Sequence, residues 1–476
     1  MIPKTLIAGV SAICIAYIFA VWNSDSDEFL NDIERSVIEA WGKQIEEPIR
    51  KFERVAVGIN SNVDLIVPGV QLLRNLGVAP GRPINHQVLS SISDLQETFA
   101  FFFRKGSAAE RTFTVREPFL QVIEEAETFK TKELYIGGNG ALMAAKASML
   151  FPDVAIQFVG PIGPLLQQMM PASLSIPETS LISKDEFHLI MEYKVGEVWG
   201  EDSAPVANRF ISSCDYSNSR LTMLDTFFNS LDSFNPDLIL MSGLHLLDGQ
   251  TSQFFSEKIA LLSSRLQQIP STVPIHLEFA SMATQSFVRD ILENVLKHVD
   301  SLGLNEQELV FSSRAGGGPH SRDTDHQLAQ PEVHKISDIL LWFLHTYGLS
   351  EHNPSSRLTR IHFHSLTYHI SATVGGRWRN LESSIAAGTR IAGIQACNVS
   401  HLSADILDIK IPLKYKLFSG DVDRDFNPAR PVVSFSREGI KFVFSPVLVC
   451  KHPLKTVGLG DAISTTGLMY SQFVPS

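Results

Sequence analysis

Short apolar runs separated by stretches of helical periodicity constrain this chain more than any other feature. Arg54-Val55-Ala56-Val57-Gly58-Ile59-Asn60 reads as a buried strand, Glu133-Leu134-Tyr135-Ile136 as a short strand, and Val154 to Gly160, Asp237 to Gly243 and Pro274 to Ala280 as strands. Ala141 to Leu150 and Ser286 to Leu296 read as helices. Strands alternating with helices give βαβ units, a mainly parallel sheet and an α/β fold. In such sheets ligands bind beyond the carboxyl ends of the strands. Polar or glycine-rich clusters recur where a strand ends or a helix opens: Asn62-Val63-Asp64, Gly137-Gly138-Asn139, His276-Leu277-Glu278, Asn305-Glu306-Gln307-Glu308 and Gly458-Leu459-Gly460-Asp461.

Other segments fill in the outline. Asp32 to Ile49 has Ile33, Val37, Trp41 and Ile45 on one helical face. Val70 to Thr114 is mostly helical, broken at Pro80-Gly81 and Lys105-Gly106. Phe187 to Ser213 alternates like strands, and Val299 to Asn305 leads to a loop. Gly316 to Gln330 is a polar loop. His362 and His364 share one face of a strand; no third metal ligand accompanies them, so they read as core histidines.

The chain has 476 residues, 44% of them hydrophobic, enough for a large core. That length suits two or three domains, or one large α/β domain with an insertion. The net charge is −11 with no dense Lys/Arg run, which argues against nucleic-acid binding. Met1 to Trp22 stands apart: Lys4 precedes an almost wholly apolar run, and Asn23 to Glu28 turns polar and acidic. Residues 1–22 are expected to be a signal peptide or signal anchor. The remainder is then expected in the endoplasmic reticulum lumen or secreted, touching a membrane only through an uncleaved leader. Beyond Cys14, three cysteines remain, with no Cys-x-x-Cys for a thiolate zinc site. Cys397 and Cys450 border core segments and form the favoured disulfide pair; three reduced thiols are the alternative. Asn398-Val399-Ser400 is a glycosylation acceptor if exposed.

Gly458-Leu459-Gly460-Asp461, followed by Ala462 to Leu468, reads as a tight turn feeding a helix. Helix-start amides lack intrahelical partners and favour negative charge. An aspartate held there beside a phosphate can take a proton from an attacking hydroxyl. A helix N-cap without chemistry is the plain alternative for so short a motif.

In these motifs, together with Gly58 to Asp64, Gly106-Ser107-Ala108-Ala109-Glu110 and Asn208-Arg209-Phe210-Ile211, the chain resembles the ADP-dependent glucokinases of the ribokinase-like fold, from about Asp32 to the C-terminus. The resemblance implies a three-layer large domain with a central, mainly parallel sheet, over 23–64, 133–185 and 221–476. A smaller α/β lid over 65–132 and 186–220 would cover the sugar. It implies transfer of the β-phosphoryl of ADP to the 6-hydroxyl of glucose, by a monomer. Asp461 is then the base, and Gly458, Leu459 and Gly460 form an anion hole. Asn62, Asp64, Glu110, Gly138 and Asn139 would bind glucose. Arg209 would clamp the phosphates, and Pro446, Val447, Leu448, Val449 and His452 to Lys455 would wall the adenine. Glu278, Asn305, Glu308 and Asp461 would hold Mg2+, partly through water. The plainer alternatives are a solvated helix residue at Glu110, an ordinary helix start at Asn305 and Glu308, and a strand-end acid at Glu278. Nothing in composition or spacing selects ADP over ATP. An ATP-dependent sugar or nucleoside kinase of the same fold, and a non-catalytic lumenal sugar- or nucleotide-binding protein, are the competing readings.

Overall fold

Four of the apolar runs become parallel strands, because only backbone pairing on both sides satisfies a chain buried on both faces, whereas Glu133–Gly137 pairs antiparallel and alternates in burial. A computed structural model describes residues 31–322, 332–454 and 457–475. The apolar leader, the latter part of the Gly316–Gln330 loop, and Lys455 and Thr456 lie outside the described residues. The chain divides into two units, one spanning Phe52–Asp290 and the other Ile291 onward together with the segment up to Lys51.

In the Phe52–Asp290 unit, strands Ala155–Val159, Arg54–Gly58, Leu238–Met241 and Ile275–Glu278 lie side by side in that order, all parallel. Helices Asn139–Leu150 and Leu224–Phe234 pack on Arg54–Gly58. A second sheet runs Ala109–Thr112, Asn208–Ser213, Phe187–Tyr193, Asn62–Pro68 and Glu133–Gly137. Its edge strands Ala109–Thr112 and Glu133–Gly137 alternate in burial, as strands covered on one face should. Leu65, Val67, Leu189, Met191, Tyr193 and Phe210 face a core shared with Phe99 and Phe103 of helix Ile92–Lys105 and with Val122 of helix Arg116–Glu127. This sheet takes in Asn62–Pro68 and Glu133–Gly137 as well as strands from 65–132 and 186–220.

In the other unit, Ser301–Leu304 pairs parallel with Arg360–His364. Tyr368–Thr373, Ile440–Pro446 and Val433–Arg437 extend that sheet antiparallel. Helices Leu381–Cys397 and Leu459–Met469 pack closely together. His362 and His364 are buried core histidines that bed the second of these helices. A Cβ added at Gly467 would lie 3.2 Å from His362 Cε1, and one at Gly460 3.0 Å from His364 Cε1. The helix over 31–44 docks here through Val37 and Trp41, which join Cys397, Cys450, Leu407 and Leu448 in one cluster. Trp41 Nε1 donates to Ser445 Oγ at 3.1 Å. Among the described residues no helix is long and apolar enough to cross a membrane.

Two segments differ from the expectations. Val70–Thr114 is not mostly helical: helices Gly69–Asn75 and Ile92–Lys105 are real, but Ala109–Thr112 is a strand. Glu110 therefore sits on a sheet rather than on a helix surface. Periodicity misleads there because a four-residue strand carries too few alternations to outvote the preceding helix. Val299–Asn305 contains the buried strand Ser301–Leu304, whose Ser and Gly hide it from a search for apolar residues.

Cys397 and Cys450 are joined in a disulfide closing a sequence separation of 53. The described cysteine left over, Cys214, is half-buried and free, with burial raising its thiol pKa. Asn398 is exposed. Closing a loop of this size stabilises by roughly 2–4 kcal/mol. Cys397→Ser should therefore lower the denaturation midpoint of the oxidised protein, and reductant should lower that of the wild type similarly. Unchanged melts in both would show that the bridge adds nothing.

Candidate functional site

The sheet of the Phe52–Asp290 unit has a second face, opposite the aromatic core, and period-two alternation assigns residues to it. Asp64 pairs with His188 and with Tyr135, and His188 pairs with Ser213. Two steps along, Ile66, Ile190, Ile211 and Glu110 form the next row. Glu192 and Arg209 pair two residues further on. Asn62, Asp64, His188, Glu110 and Arg209 thus share one face, drawn from four strands.

Glycine makes room for them. A Cβ at Gly137 would stand 2.2 Å from Asn62 Nδ2 and 2.3 Å from Asp64 Oδ1, so only glycine fits opposite this pair. Asn62 Nδ2 donates to Asp64 Oδ1 at 2.7 Å, fixing both side chains. Gly138 caps the Asn139–Leu150 helix, and Asn60 braces that start by accepting from Gly140 N at 2.9 Å through its side chain.

His188 is the member that the sequence reading passed over. Its Nε2 lies 2.6 Å from Asp215 Oδ2. Burial alone would depress the imidazole's pKa. The Asp215 carboxylate, helped by Glu110 and Asp64, outweighs it and lifts His188 to about 10. Burial raises Asp64, while His188 and the Asn62 amide pull it back. His245, buried and facing the His188 cation, falls to about 4. The result is a fixed cation among carboxylates on a polar face, suited to binding a ligand with several hydroxyls. A histidine in an alternating strand, in register with an aspartate already singled out, was the available signal.

Glu278 ends its strand in the same unit, 4% exposed, with Oε2 2.9 Å from His276 Nε2.

The other unit holds the remaining candidates. Gly458 caps helix Leu459–Met469 at φ 66°, a left-handed turn that glycine adopts without strain. Ala462 N returns to Gly458 O at 3.0 Å, so Leu459, Gly460 and Asp461 form the open first turn. Asp461 is 5% exposed. Gln395 Nε2 holds Val457 O at 3.1 Å, fixing the approach to the turn. Val447 and Val449 pack with Leu459 and Ile463 of this helix. Leu448, between them, points the opposite way into the core of Trp41 and Cys397. His452 is exposed beyond the strand Leu448–Cys450.

Asn305 and Glu308 form a reciprocal capping box. Glu308 N donates to Asn305 Oδ1 at 3.0 Å, Asn305 N donates to Glu308 Oε2 at 2.9 Å, and Asn305 Nδ2 donates to Glu308 Oε1 at 2.9 Å. The box orients a carboxylate that is 7% exposed. Its oxygens keep lone pairs, and their hard-donor chemistry fits a magnesium-class ion. Asn305 acts chiefly on Glu308.

A cavity of about 440 Å³, also missed, lies within this unit. Tyr368, Tyr415, Thr367 and three lysines, Lys410, Lys414 and Lys416, line it. Val447 N donates to Thr367 O at 2.9 Å, so its wall adjoins the Val447–Val449 segment. The lysines are scattered through an irregular segment, which left no spacing to read.

The raised imidazole has a testable sign. Its folded pKa exceeds the ordinary 6.5, so its stabilising contribution is complete below about pH 6.5 and fades as pH rises toward 10. Nitrogen-15 NMR should find His188 as imidazolium at pH 8. A neutral ring at that pH would remove the cation from the site.

A family model described as the ADP-specific phosphofructokinase/glucokinase conserved region matches residues 53–470. An ADP-dependent glucokinase of Bos taurus is 43% identical over 93% of this chain and 89% of its own length. A probable ADP-dependent glucokinase of Caenorhabditis elegans is 39% identical over 96% of this chain and 93% of its own. Among solved structures, a hypothetical ADP-dependent phosphofructokinase from Pyrococcus horikoshii superposes with TM-score 0.66 at 17% identity, covering 89% of this chain and 98% of that one. This likeness shows a shared α/β fold. With the matched region covering nearly the whole described chain, this protein belongs to the ADP-specific phosphofructokinase/glucokinase family.

Proposed function

We propose that the chain is an ADP-dependent glucokinase, moving the β-phosphoryl of ADP to the 6-hydroxyl of glucose and releasing glucose 6-phosphate and AMP. One observation carries this reading: the Asp461 carboxylate stands in the open first turn of a helix begun by left-handed Gly458, in a chain 43% identical to an animal ADP-dependent glucokinase.

The chemistry follows from the residues. The sugar O6 attacks the β-phosphorus, the bond from that phosphorus to the oxygen bridging to the α-phosphate breaks, and AMP leaves with those electrons. Asp461 accepts the O6 proton. The first-turn amides stabilise charge on the transferring phosphoryl oxygens. Bound Mg2+, with Glu308 as its best-presented carboxylate and Asp461 as a further donor, would supply charge neutralisation.

Asn62, Asp64, Gly138, Asn139 and His188 orient the sugar hydroxyls. Glu110 on the same face disfavours a sugar that already carries a phosphate, since two anions repel. Arg209 serves the nucleotide phosphates. The lysine-lined cavity takes the nucleotide, with Tyr368 and Tyr415 offering aromatic surface to the base. Segments 65–132 and 186–220 act as the lid, whose role is to keep water from the phosphoryl group. The Cys397–Cys450 bridge suits an oxidising compartment, in keeping with a lumenal or secreted enzyme.

Asp461→Asn is isosteric and should lower kcat by about 10²–10⁴-fold. Glucose binding, measured calorimetrically, should remain within a few-fold. Retained turnover would eliminate Asp461 as the base. Glu110→Ala removes a charged hydrogen-bond partner worth about 1.5–3 kcal/mol, so KM for glucose should rise about 10- to 100-fold. An unchanged KM would take Glu110 out of the sugar site.

A further inference from the structure

A second group of ligating side chains lies in the Phe52–Asp290 unit, among residues that none of the roles above uses. His86 comes from the irregular segment before helix Ile92–Lys105. Asp94 and Glu97 stand three apart on the first turns of that helix, on one face. One ligating atom from each of the three lies within 4.8 Å of the other two. Bonds of about 2.0–2.2 Å to a single ion require such separations.

The three are held in place from outside the group. Arg111 Nε donates to His86 O at 2.7 Å, and another guanidinium nitrogen reaches Asn85 Oδ1 at 2.8 Å. Ile84 N donates to Glu97 O at 3.1 Å, and Leu89 N to Thr112 O at 2.9 Å. Ser90 fixes Asp94 Oδ2 through its amide at 2.7 Å and its hydroxyl at 2.6 Å. The backbone around His86 is thus tied both to the helix and to the Ala109–Thr112 strand. His86 Nε2 lies 2.6 Å from Glu97 Oε2, with the side chains 29% and 24% exposed. Solvent can reach the group, and water can complete a coordination shell. The two carboxylates outweigh the single Arg111 guanidinium nearby.

We propose that His86, Asp94 and Glu97 bind a divalent cation of the zinc class. One imidazole and two carboxylates with an open position match that ion's N/O preference, whereas magnesium favours oxygen alone. Binding exchanges the His86–Glu97 hydrogen bond for two bonds to the ion, and the bridging proton goes to solvent. Asp94 supplies the third bond and keeps its Ser90 contacts.

The test uses the full chain, stripped with a chelator and titrated with Zn2+ in millimolar Mg2+, which occupies sites built for the harder ion. Wild type should bind one equivalent more than His86→Asn and Glu97→Gln, or bind that equivalent about tenfold or more tightly. Co2+ in place of Zn2+ should show absorption bands that vanish in both variants. Either variant alone decides the matter should the other fail to fold. Equal stoichiometry and affinity in wild type and a folded variant would overturn the site. So would complete loss of the extra equivalent in Mg2+.

Discussion

A helix that starts on a left-handed glycine leaves its first amides facing outward, and the unit containing Ile291–Ser476 is arranged to keep that start in place. Gly458 sets the turn at φ 66°. The Leu381–Cys397 helix lies along the Leu459–Met469 helix, and Gln395 grips the residue before the turn. His362 and His364 fill the space beneath, where Gly460 and Gly467 leave no room for side chains on the helix. Helix-start amides favour negative charge, and a carboxylate held beside them can take a proton from a hydroxyl. A diphosphate and an alcohol do so together, which is the physical core of the kinase reading.

The Phe52–Asp290 unit meets a different demand. Glucose is neutral and presents hydroxyls, so it must be read by directional donors and acceptors. In the proposed reading one sheet face supplies them; the opposite face is sealed by Phe99, Phe103 and Val122. His188 and Asp215 add a fixed cation that lets Asp64 and Glu110 share the same face. Mutual repulsion of the acids is thereby turned into a preorganised network.

Much of this was legible in the residues. Continuous apolar runs such as Val55–Val57 and Leu238–Met241 give parallel strands from composition alone. The Gly458–Asp461 turn was readable because two glycines before an acid and a helix-forming run mark a tight turn into a helix, and Cys397 with Cys450 because both border core segments. Four things were not. Ala109–Thr112 is too short to outweigh the periodicity before it, which hid the sheet position of Glu110. His188 acquires its meaning from Asp215 and Glu110, partners that only strand pairing brings near. Leu448 reads like Val447 and Val449 but faces the core, since a strand sends neighbours to opposite sides. Lys410, Lys414 and Lys416 converge through irregular backbone, which has no period to detect.

The claim on which the account stands is that this chain spends ADP, not ATP, on unphosphorylated glucose. Phosphorus-31 NMR of the purified protein, with ADP or ATP offered against glucose or fructose 6-phosphate, measures it directly. Glucose 6-phosphate and AMP should accumulate in equal amounts from ADP and glucose, with the other three combinations far slower. Faster turnover of ATP, or of fructose 6-phosphate, would contradict the account.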